Sequence, residues 1–429
     1  MKTRMIRVLK GLIIFVFVFM ILLLFVACNP EARELEDYKK ARSTELIDYA
    51  HNKGEDNYSP ENWQELLSVL EEGLLKIKEA TDKETVDSLY YECFVRISRV
   101  KKPIQPMSVA EEYAEGCGSE DDPFVILTKG QLIHFSNQVL IGENKEDYFI
   151  LGADIDLESM EWNPIGLLSY YDRKPGGFSG VFDGNGHEIR NLYISERKIN
   201  SAAENIGLFG WNEGTIKNLG VVGININIRW GPIYGVGMSA WVGGLTGMNG
   251  GDIINCYTQG NIKLKYLGKV TGVSPNHIRA GGLVGGYSEG NVKNCYSMVN
   301  MDVEYRGEPG TMTVSWLAAG GFVENSFIAG NMDAEFDYYG RVGGNDYKLY
   351  RFGTERKNCY AYEGIMLNGK PLQGDSSLCS KDELNTASFY IEKLGWDESV
   401  WDFDNLDFDE GFLPKLRKIK DVPFLVNKR

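Results

Sequence analysis

The sequence predicts a mainly β protein in which a solenoid of stacked parallel strands follows a small three-helix bundle. Two observations predict the solenoid: a glycine-flanked block recurs every 37 to 39 residues, and 43 of the 49 glycines lie after residue 141. A third observation predicts the bundle, because apolar residues between residues 31 and 102 recur with the 3.6-residue period of an amphipathic helix.

The first 28 residues predict export and a lipid anchor. Four basic residues precede an apolar run from Leu12 to Ala27, which is shorter than the roughly 20 residues that a membrane-spanning helix needs. Residues 24–28 (LFVAC) resemble the bacterial lipobox. The resemblance implies a signal peptide over 1–27, a lipid on Cys28 and a position on the bacterial cell surface, anchored to the outer face of the membrane. An uncleaved anchor and plain secretion are the alternatives.

Charge and cysteine usage narrow the classes of partner and of site. The net charge of −15 argues against nucleic acid as a partner, because phosphate backbones are also negative.

No two cysteines form a CxxC pair, which disfavours a zinc knuckle and a thioredoxin-like motif. Cys256, Cys295 and Cys359 share the tripeptide Asn-Cys-Tyr. We expect them to be reduced, small buried hydrophobes at equivalent positions of a repeat, with disulfides as the alternative.

Residues 28–102 predict three helices. Ser59-Pro60 is typical of a helix start, Thr81 and Glu84 have the spacing of a capping box, and prolines after residue 102 end the third helix. The apolar stripes are Leu35, Tyr38, Leu46 and Tyr49; Trp63, Leu66, Leu67, Leu70, Leu74 and Ile77; and Val86, Leu89, Tyr90, Cys93, Ile97 and Val100. The stretch resembles FIVAR-type modules of bacterial surface proteins, notably in residues 58–63 and 81–86. This implies a spacer, with sugar or partner binding as the alternative.

The repeat contains two kinds of block. The first lies at 206–210 (IGLFG), 243–247 (GGLTG) and 281–285 (GGLVG), with a weaker copy at 319–322 (AGGF). The second lies at 214–219 (GTIKNL), 251–257 (GDIINCY) and 290–296 (GNVKNCY). At the strand period of two, we expect Ile253, Asn255 and Tyr257 to point one way and Ile254 and Cys256 the other.

Each coil is expected to bond to the next at about 4.8 Å along its whole strand, because a single coil cannot bury its inner face alone. The repeated asparagines Asn218, Asn255, Asn294 and Asn358 are expected to stack as an amide ladder at a bend.

The blocks resemble the GLUG motif, and residues 120–124, 154–157, 162–166 and 178–189 before them add to the resemblance, as does an ending through Trp396, Trp401 and 411–416 (GFLPKL). Proteins with this series are similar to right-handed parallel β-helices on bacterial surfaces. The resemblance implies a β-helix over 103–375 and a closing segment over 376–429. The pattern weakens after Phe322, where the fourth coil lacks a full Asn-Cys-Tyr.

The sequence lacks the common motifs of three enzyme classes, and its other catalytic and metal-binding candidates match no specific pattern. The four histidines do not form His-Glu-x-x-His, and Gly-x-Ser-x-Gly and the Walker loop do not occur. A β-helix lyase or hydrolase needs carboxylates on one exposed face; the candidates are Asp154, Asp156 and Asp183 beside His187 or Arg190, with local turn positions as the alternative. The acidic run 402–410 lacks EF-hand spacing, so we expect a solvated edge and no cofactor, with calcium as the weaker alternative.

Aromatic residues in the insertions between coils are the candidate ligand-binding residues: Trp230, Tyr234, Tyr266, Tyr305 and Trp316. Exposed rings of this kind suit sugars or protein hot spots, and insertions in solenoids often project from the binding side. Their folding back as a satellite core is the alternative. We therefore expect a non-catalytic cell-surface lipoprotein that binds extracellular polysaccharide or a surface protein. A carbohydrate-active β-helix enzyme, either a polysaccharide lyase or a glycoside hydrolase, is the alternative.

Overall fold

The computed structural model describes residues 30–51, 55, 58, 60–99, 111–166, 177–195, 203–230, 239–268, 276–286, 290–307, 310–338, 347–350, 352, 354–372 and 377–418. The predicted signal peptide and Cys28 lie outside the described residues. Within the described ranges, no helix is long and apolar enough to cross a membrane. The chain divides into two compact units, residues 1–105 and 106–429.

The first unit contains the three predicted helices: α1 (Pro30–His51), α2 (Pro60–Glu79) and α3 (Lys83–Arg99). Their apolar stripes share one core, in which Leu46, Leu66 and Ile97 are fully buried. The predicted helix start at Pro60 is confirmed. The capping box predicted from Thr81 to Glu84 is wrong, because the carboxylate of Asp82 accepts the bond from the amide of Thr85 at 2.7 Å instead.

The second unit is a β-solenoid, and its strands pair in parallel except at β21–β22 and β24–β25. The strands are β1 (Phe124–Ile126), β2 (Tyr148–Leu151), β3 (Ile155–Asp156), β4 (Val181–Asp183), β5 (Glu188–Arg190), β6 (Tyr193–Ile194), β7 (Ala203–Ile206), β8 (Phe209–Asn212), β9 (Thr215–Trp230), β10 (Ser239–Gly243), β11 (Thr246–Asn249), β12 (Asp252–Gly268), β13 (Asn276–Gly281), β14 (Asn291–Lys293), β15 (Tyr296–Gly307), β16 (Gly310–Ser315), β17 (Phe322–Ile328), β18 (Met332–Tyr338), β19 (Tyr347–Tyr350), β20 (Glu355–Tyr362), β21 (Met366–Leu367), β22 (Lys370–Pro371), β23 (Leu378–Cys379), β24 (Trp401–Asp402) and β25 (Lys415–Leu416). Helices α4 (Lys129–Ile141) and α5 (Lys381–Leu384) and a π-helical turn (Phe389–Lys393) complete the unit.

Successive coils lie strand on strand and in register, which confirms the predicted parallel β-solenoid. The largest sheet contains the run β2-β4-β9-β12-β14-β17, and a second sheet has the order β19-β16-β13-β10-β7. Strands β8 and β11 form a third, narrow sheet. The 12 residue pairs between β12 and β15, from Tyr257 opposite Tyr296 to Gly268 opposite Gly307, continue without a shift.

The apolar interior is covered by a helix at its N-terminal end and meets a charged residue at the other. At the N-terminal end, α4 places Phe135 against Phe149, with ring centroids 4.1 Å apart. At the other end, the column of fully buried residues through Ile216, Ile253, Val292 and Val323 continues to Arg356, which is exposed. The Arg356 guanidinium lies 6.0 Å from the ring centroid of Phe352.

The Asn-Cys-Tyr block turns a corner, and here the predicted alternation is wrong. Asn255 has a left-handed backbone, with φ of 52°. Ile253 and Cys256 therefore both lie in the interior, whereas Tyr257 belongs to a separate apolar cluster. The left-handed residue interrupts the extended strand, so the two-residue alternation restarts after it.

The predicted amide ladder is confirmed at this corner. The Nδ2 of Asn255 donates to the Oδ1 of Asn218 at 3.0 Å, and Asn294 donates in the same way to Asn255. The ladder continues through Asn325 to Asn358, at 3.3 and 3.0 Å. Asn325 was not predicted, because its coil has Asn-Ser-Phe at the position of Asn-Cys-Tyr.

Residues 377–418 cover a stack of aromatic rings on the outside of this corner. The rings of Tyr257, Tyr296 and Phe327 lie 4.9 Å apart in succession. The hydroxyl of Tyr296 donates to the carbonyl of Pro414 at 3.0 Å, and Trp396 Nε1 donates to the carbonyl of Asn325 at 2.8 Å. The C-terminal segment is thus part of the packed solenoid.

Candidate functional site

The aromatic residues predicted to bind a ligand do not form an exposed surface. Tyr266 and Tyr305 are 1% and 2% exposed and stack in the interior with ring centroids 4.8 Å apart. Trp316 is also 2% exposed. These three rings therefore lie in the core, which is the position that the alternative expects, and they do not form the exposed surface that we predicted. The Trp230 side chain and the whole of Tyr234 lie outside the described residues.

The burial of Tyr266 has a simple cause. Strand β12 continues to Gly268, well past the Asn-Cys-Tyr block. Ile262, Leu264 and Tyr266 therefore share the inward face at the strand period of two, and all are buried. Tyr266 and Tyr305, which we predicted to lie in insertions, are therefore near the ends of the long strands β12 and β15.

Asp154 belongs to a network of charged and polar side chains. Its Oδ1 contacts His187 Nδ1 at 2.9 Å and accepts from the Glu188 amide at 3.1 Å. Its Oδ2 accepts from Arg190 Nη2 at 2.9 Å, and this guanidinium also binds the Glu188 carboxylate at 2.8 Å. The Tyr257 hydroxyl donates to Glu188 at 2.6 Å. The network therefore links the first coils to the aromatic stack.

The other two candidate carboxylates have separate partners. Asp156 accepts from Asn191 Nδ2 at 2.8 Å and from the Glu158 amide at 2.7 Å. Asp183 begins the amide ladder, accepting from Asn218 Nδ2 at 3.0 Å, and lies 3.5 Å from Lys217 Nζ. Asp154 and Asp183 thus meet different basic residues. The charge of Arg190 also lowers the pKa of Asp156, but among the described side chains the three carboxylates do not all meet one basic residue.

The pKa shifts in this region also favour structural roles for Asp154 and Asp156. Burial opposes ionisation of Asp154, but bonds from His187 and the Glu188 amide and the charge of Arg190 outweigh it, so its pKa is lowered. The pKa of Asp156 is lowered by the hydrogen bonds from Asn191 and the Glu158 amide. Burial raises the pKa of Tyr257 well above its usual value. A general acid or base works best with a pKa near the working pH, and these shifts move all three groups away from neutrality.

The acidic run 402–410 is held by turns and ion pairs. Asp402 and Asp407 each accept a hydrogen bond from the amide two residues on, at 3.1 Å. Asp402 pairs with Arg417 at 3.2 Å, and Asp409 pairs with Lys381. Across the described part of the chain, no group of three His, Cys, Asp or Glu side chains could hold a metal ion.

Four long strands end at one edge of the solenoid. Strands β9, β12, β15 and β18 end in register, with Trp230 opposite Tyr266 and Tyr305 opposite Phe336. After each of them the chain passes to a strand of the second sheet. The intervening segments 231–238, 269–275, 308–309 and 339–346 lie outside the described residues. Because the strands pair in register, the four strand ends lie on the same side of the solenoid.

A row of partly exposed apolar side chains crosses three coils beside the second sheet. Trp211 and Met248 lie opposite each other in β8 and β11. Thr246 pairs with Val284 of the following coil, so the residues two positions further on, Met248 and Gly286, are also neighbours. The ring of Trp241 fills the position at Gly286: a Cβ on this glycine would lie 1.9 Å from its Cδ1. The side chains of Trp211, Met248 and Trp241, here called the tryptophan row, therefore occupy successive coils about 4.8 Å apart.

The tryptophan row was missed in the sequence. Trp241 lies between Ala240 and Val242, which are fully buried, so the strand period places it on the outer face. That alternation, just before the first kind of block, was the available signal. The contact of Trp241 with Gly286 joins residues 45 positions apart and had no signal in the sequence.

Comparisons of the chain with protein-family models, curated proteins and solved structures found no match in any of the three.

Proposed function

We propose that the chain is a non-catalytic cell-surface lipoprotein that binds extracellular polysaccharide or a surface protein through its β-helix. In this proposal Cys28 carries the lipid anchor, the helical unit is a spacer, and the solenoid presents the binding surface. The motifs that resemble the lipobox, the FIVAR module and the GLUG repeat support this arrangement.

The tryptophan row is the observation that carries the binding proposal. Tryptophan offers a flat apolar face and a polar edge, which suit the apolar face of a sugar ring or a protein hot spot. The row lies on paired strands of a rigid solenoid, so little conformational entropy is lost when a ligand binds. It replaces the buried rings of Tyr266, Tyr305 and Trp316 as the proposed contact surface.

The enzyme alternative has less support. Asp183 pairs with Lys217, apart from Asp154 and Asp156 near Arg190, and the lowered pKa values of Asp154 and Asp156 make both poor proton donors and acceptors at neutral pH. Incubation of the chain with acidic and neutral polysaccharides should therefore release neither reducing ends nor unsaturated products. Turnover abolished by Asp154→Asn would contradict the proposal.

The anchor is tested by mass spectrometry of the chain purified from membranes. We expect the first residue to be Cys28, with a mass increase that corresponds to acyl chains. A chain that begins at Met1, or a Cys28 without lipid, would show that this part of the proposal is wrong.

Binding is tested with the full chain in mild detergent on arrays of glycans and surface proteins. We expect the double variant Trp211→Leu/Trp241→Leu to lose at least about tenfold in affinity, because leucine keeps apolar bulk but removes the flat ring. Lys263→Gln, on the large sheet, is the matched control and should bind like the wild type. Unchanged binding by the double variant would exclude the row, and no binding by the wild type would refute the function.

A further inference from the structure

We infer that the ligand of the tryptophan row is an acidic polysaccharide whose carboxylate groups bind Arg279. The inference rests on the proposed function and specifies its ligand. It starts from the position of Arg279, which lies directly opposite Trp241 in the pairing of β13 with β10. Ile278 and Ala280 on either side are fully buried, so Arg279 is on the outer face and is partly exposed.

Arg279 and the Trp241 ring lie in the same coil. Trp241 belongs to β10, but its ring packs on Gly286, and Gly286 follows Arg279 by seven residues in the next coil. The guanidinium thus extends from the strand that leads into the turn on which the ring rests. A sugar stacked on Trp241 would therefore have the cationic side chain of the neighbouring strand within its reach.

None of the described acidic residues forms an ion pair with Arg279. Lys263 pairs with Asp302 at 2.6 Å and Lys265 with Glu304 at 2.5 Å, whereas no carboxylate of the described ranges forms an ion pair with Arg279. The net charge of −15 opposes the approach of a polyanion, so the attraction for a carboxylate is local to the partly exposed guanidinium of Arg279.

A uronic acid combines the two groups that this site recognises. Its ring has an apolar face for the indole, and its carboxylate matches the two parallel donors of a guanidinium. A neutral sugar would use only the indole. A row that crosses three coils spans about 10 Å along the solenoid axis, which suits several units of a polymer better than a single sugar.

Two matched polymers test the inference on the full chain in detergent: polygalacturonate and its methyl ester, which keeps the sugar ring and removes the charge. By calorimetry, we expect the wild type to bind polygalacturonate about tenfold more tightly than the ester at low salt. This preference should shrink as salt is added, since salt screens exposed charges.

Three variants separate the two contacts. Arg279→Gln should lower the affinity for polygalacturonate to the value measured for the ester, and it should leave the affinity for the ester unchanged. Trp241→Leu should weaken the binding of both polymers equally. Gly286→Ala should do the same without removing any functional group, because its Cβ would displace the Trp241 ring. Lys263→Gln should have no effect, and the thermal midpoints of all variants are compared first.

Equal affinity of the wild type for both polymers, unaffected by Arg279→Gln, would overturn the inference; if Trp241→Leu still weakens both, the proposed function remains. Binding to a surface protein but to neither polymer also overturns it and leaves the protein branch of the proposed function. A wild type that binds neither polymer and no member of the arrays would refute both.

Discussion

The backbone amide of Cys256 donates a hydrogen bond to the sulfur of Cys295 in the next coil, at 3.4 Å. The amide of Cys295 donates in turn to the hydroxyl of Ser326, at 3.1 Å. Each acceptor also donates to the carbonyl two residues before it, Cys295 to Lys293 and Ser326 to Glu324. The interior cysteines are therefore hydrogen-bonding groups at the corner, whereas the sequence predicted only small hydrophobes.

Replacement of Cys295 should depend on whether the new side chain can accept a hydrogen bond. Cys295→Ala leaves the buried amide of Cys256 without its acceptor, and we expect a loss of about 2 kcal/mol in the free energy of unfolding. Cys295→Ser should lose clearly less, because serine already takes this role at position 326. Urea unfolding followed by circular dichroism measures both. Equal losses for alanine and serine would show that packing alone determines the effect.

Thiol reactivity should distinguish the exposed cysteine from the buried ones. Cys117 is exposed, whereas Cys93, Cys256, Cys295, Cys359 and Cys379 are buried, and all are free. Burial raises the pKa of Cys93 and Cys359 to about 11 and that of Cys379 to about 12, so these groups stay protonated and unreactive until the pH approaches those values.

We therefore expect iodoacetamide at pH 8 to modify Cys117 alone among these six in the folded chain, and all six after denaturation. Peptide mass spectrometry identifies the modified residues. Rapid modification of Cys256 without denaturant would contradict the buried position. A disulfide between any two of the six would contradict the free thiols.

Asn255 contributes both a backbone conformation and two amide bonds to the ladder. It donates to Asn218 and accepts from Asn294, both at 3.0 Å, at a φ of 52°. Asn255→Ala should cost about 3 kcal/mol, since it removes both bonds and places alanine in the left-handed region. Asn255→Gly, the matched control, removes only the bonds and should cost about 1 kcal/mol less. The difference between their urea midpoints tests the two contributions, and a glycine variant no more stable than the alanine variant would refute the backbone part.

The sequence predicts the solenoid and the ladder because identical residues recur at one interval, so the stacking of one position implies the stacking of all. The same reasoning missed Asn325, since Ser326 and Phe327 replace the cysteine and tyrosine while keeping a hydrogen-bonding group and an aromatic ring. It also failed for Tyr305, because the long strand that contains it extends beyond the recognisable block. The tryptophan row depends on Gly286 in one coil making room for Trp241 of another, which no local pattern indicates.

Arg356 is expected to keep the last coil from pairing with another molecule. It is exposed and stands opposite Val323, at the position that faces the interior in the earlier coils, and a charge at this position disfavours the addition of a further strand. Arg356→Val would continue the column with an apolar residue. We expect this variant to associate with increasing concentration in sedimentation velocity, whereas Arg356→Lys, which keeps the charge, should sediment like the wild type. A valine variant that sediments as the wild type does at every concentration would mean that the charge of Arg356 does not protect this end.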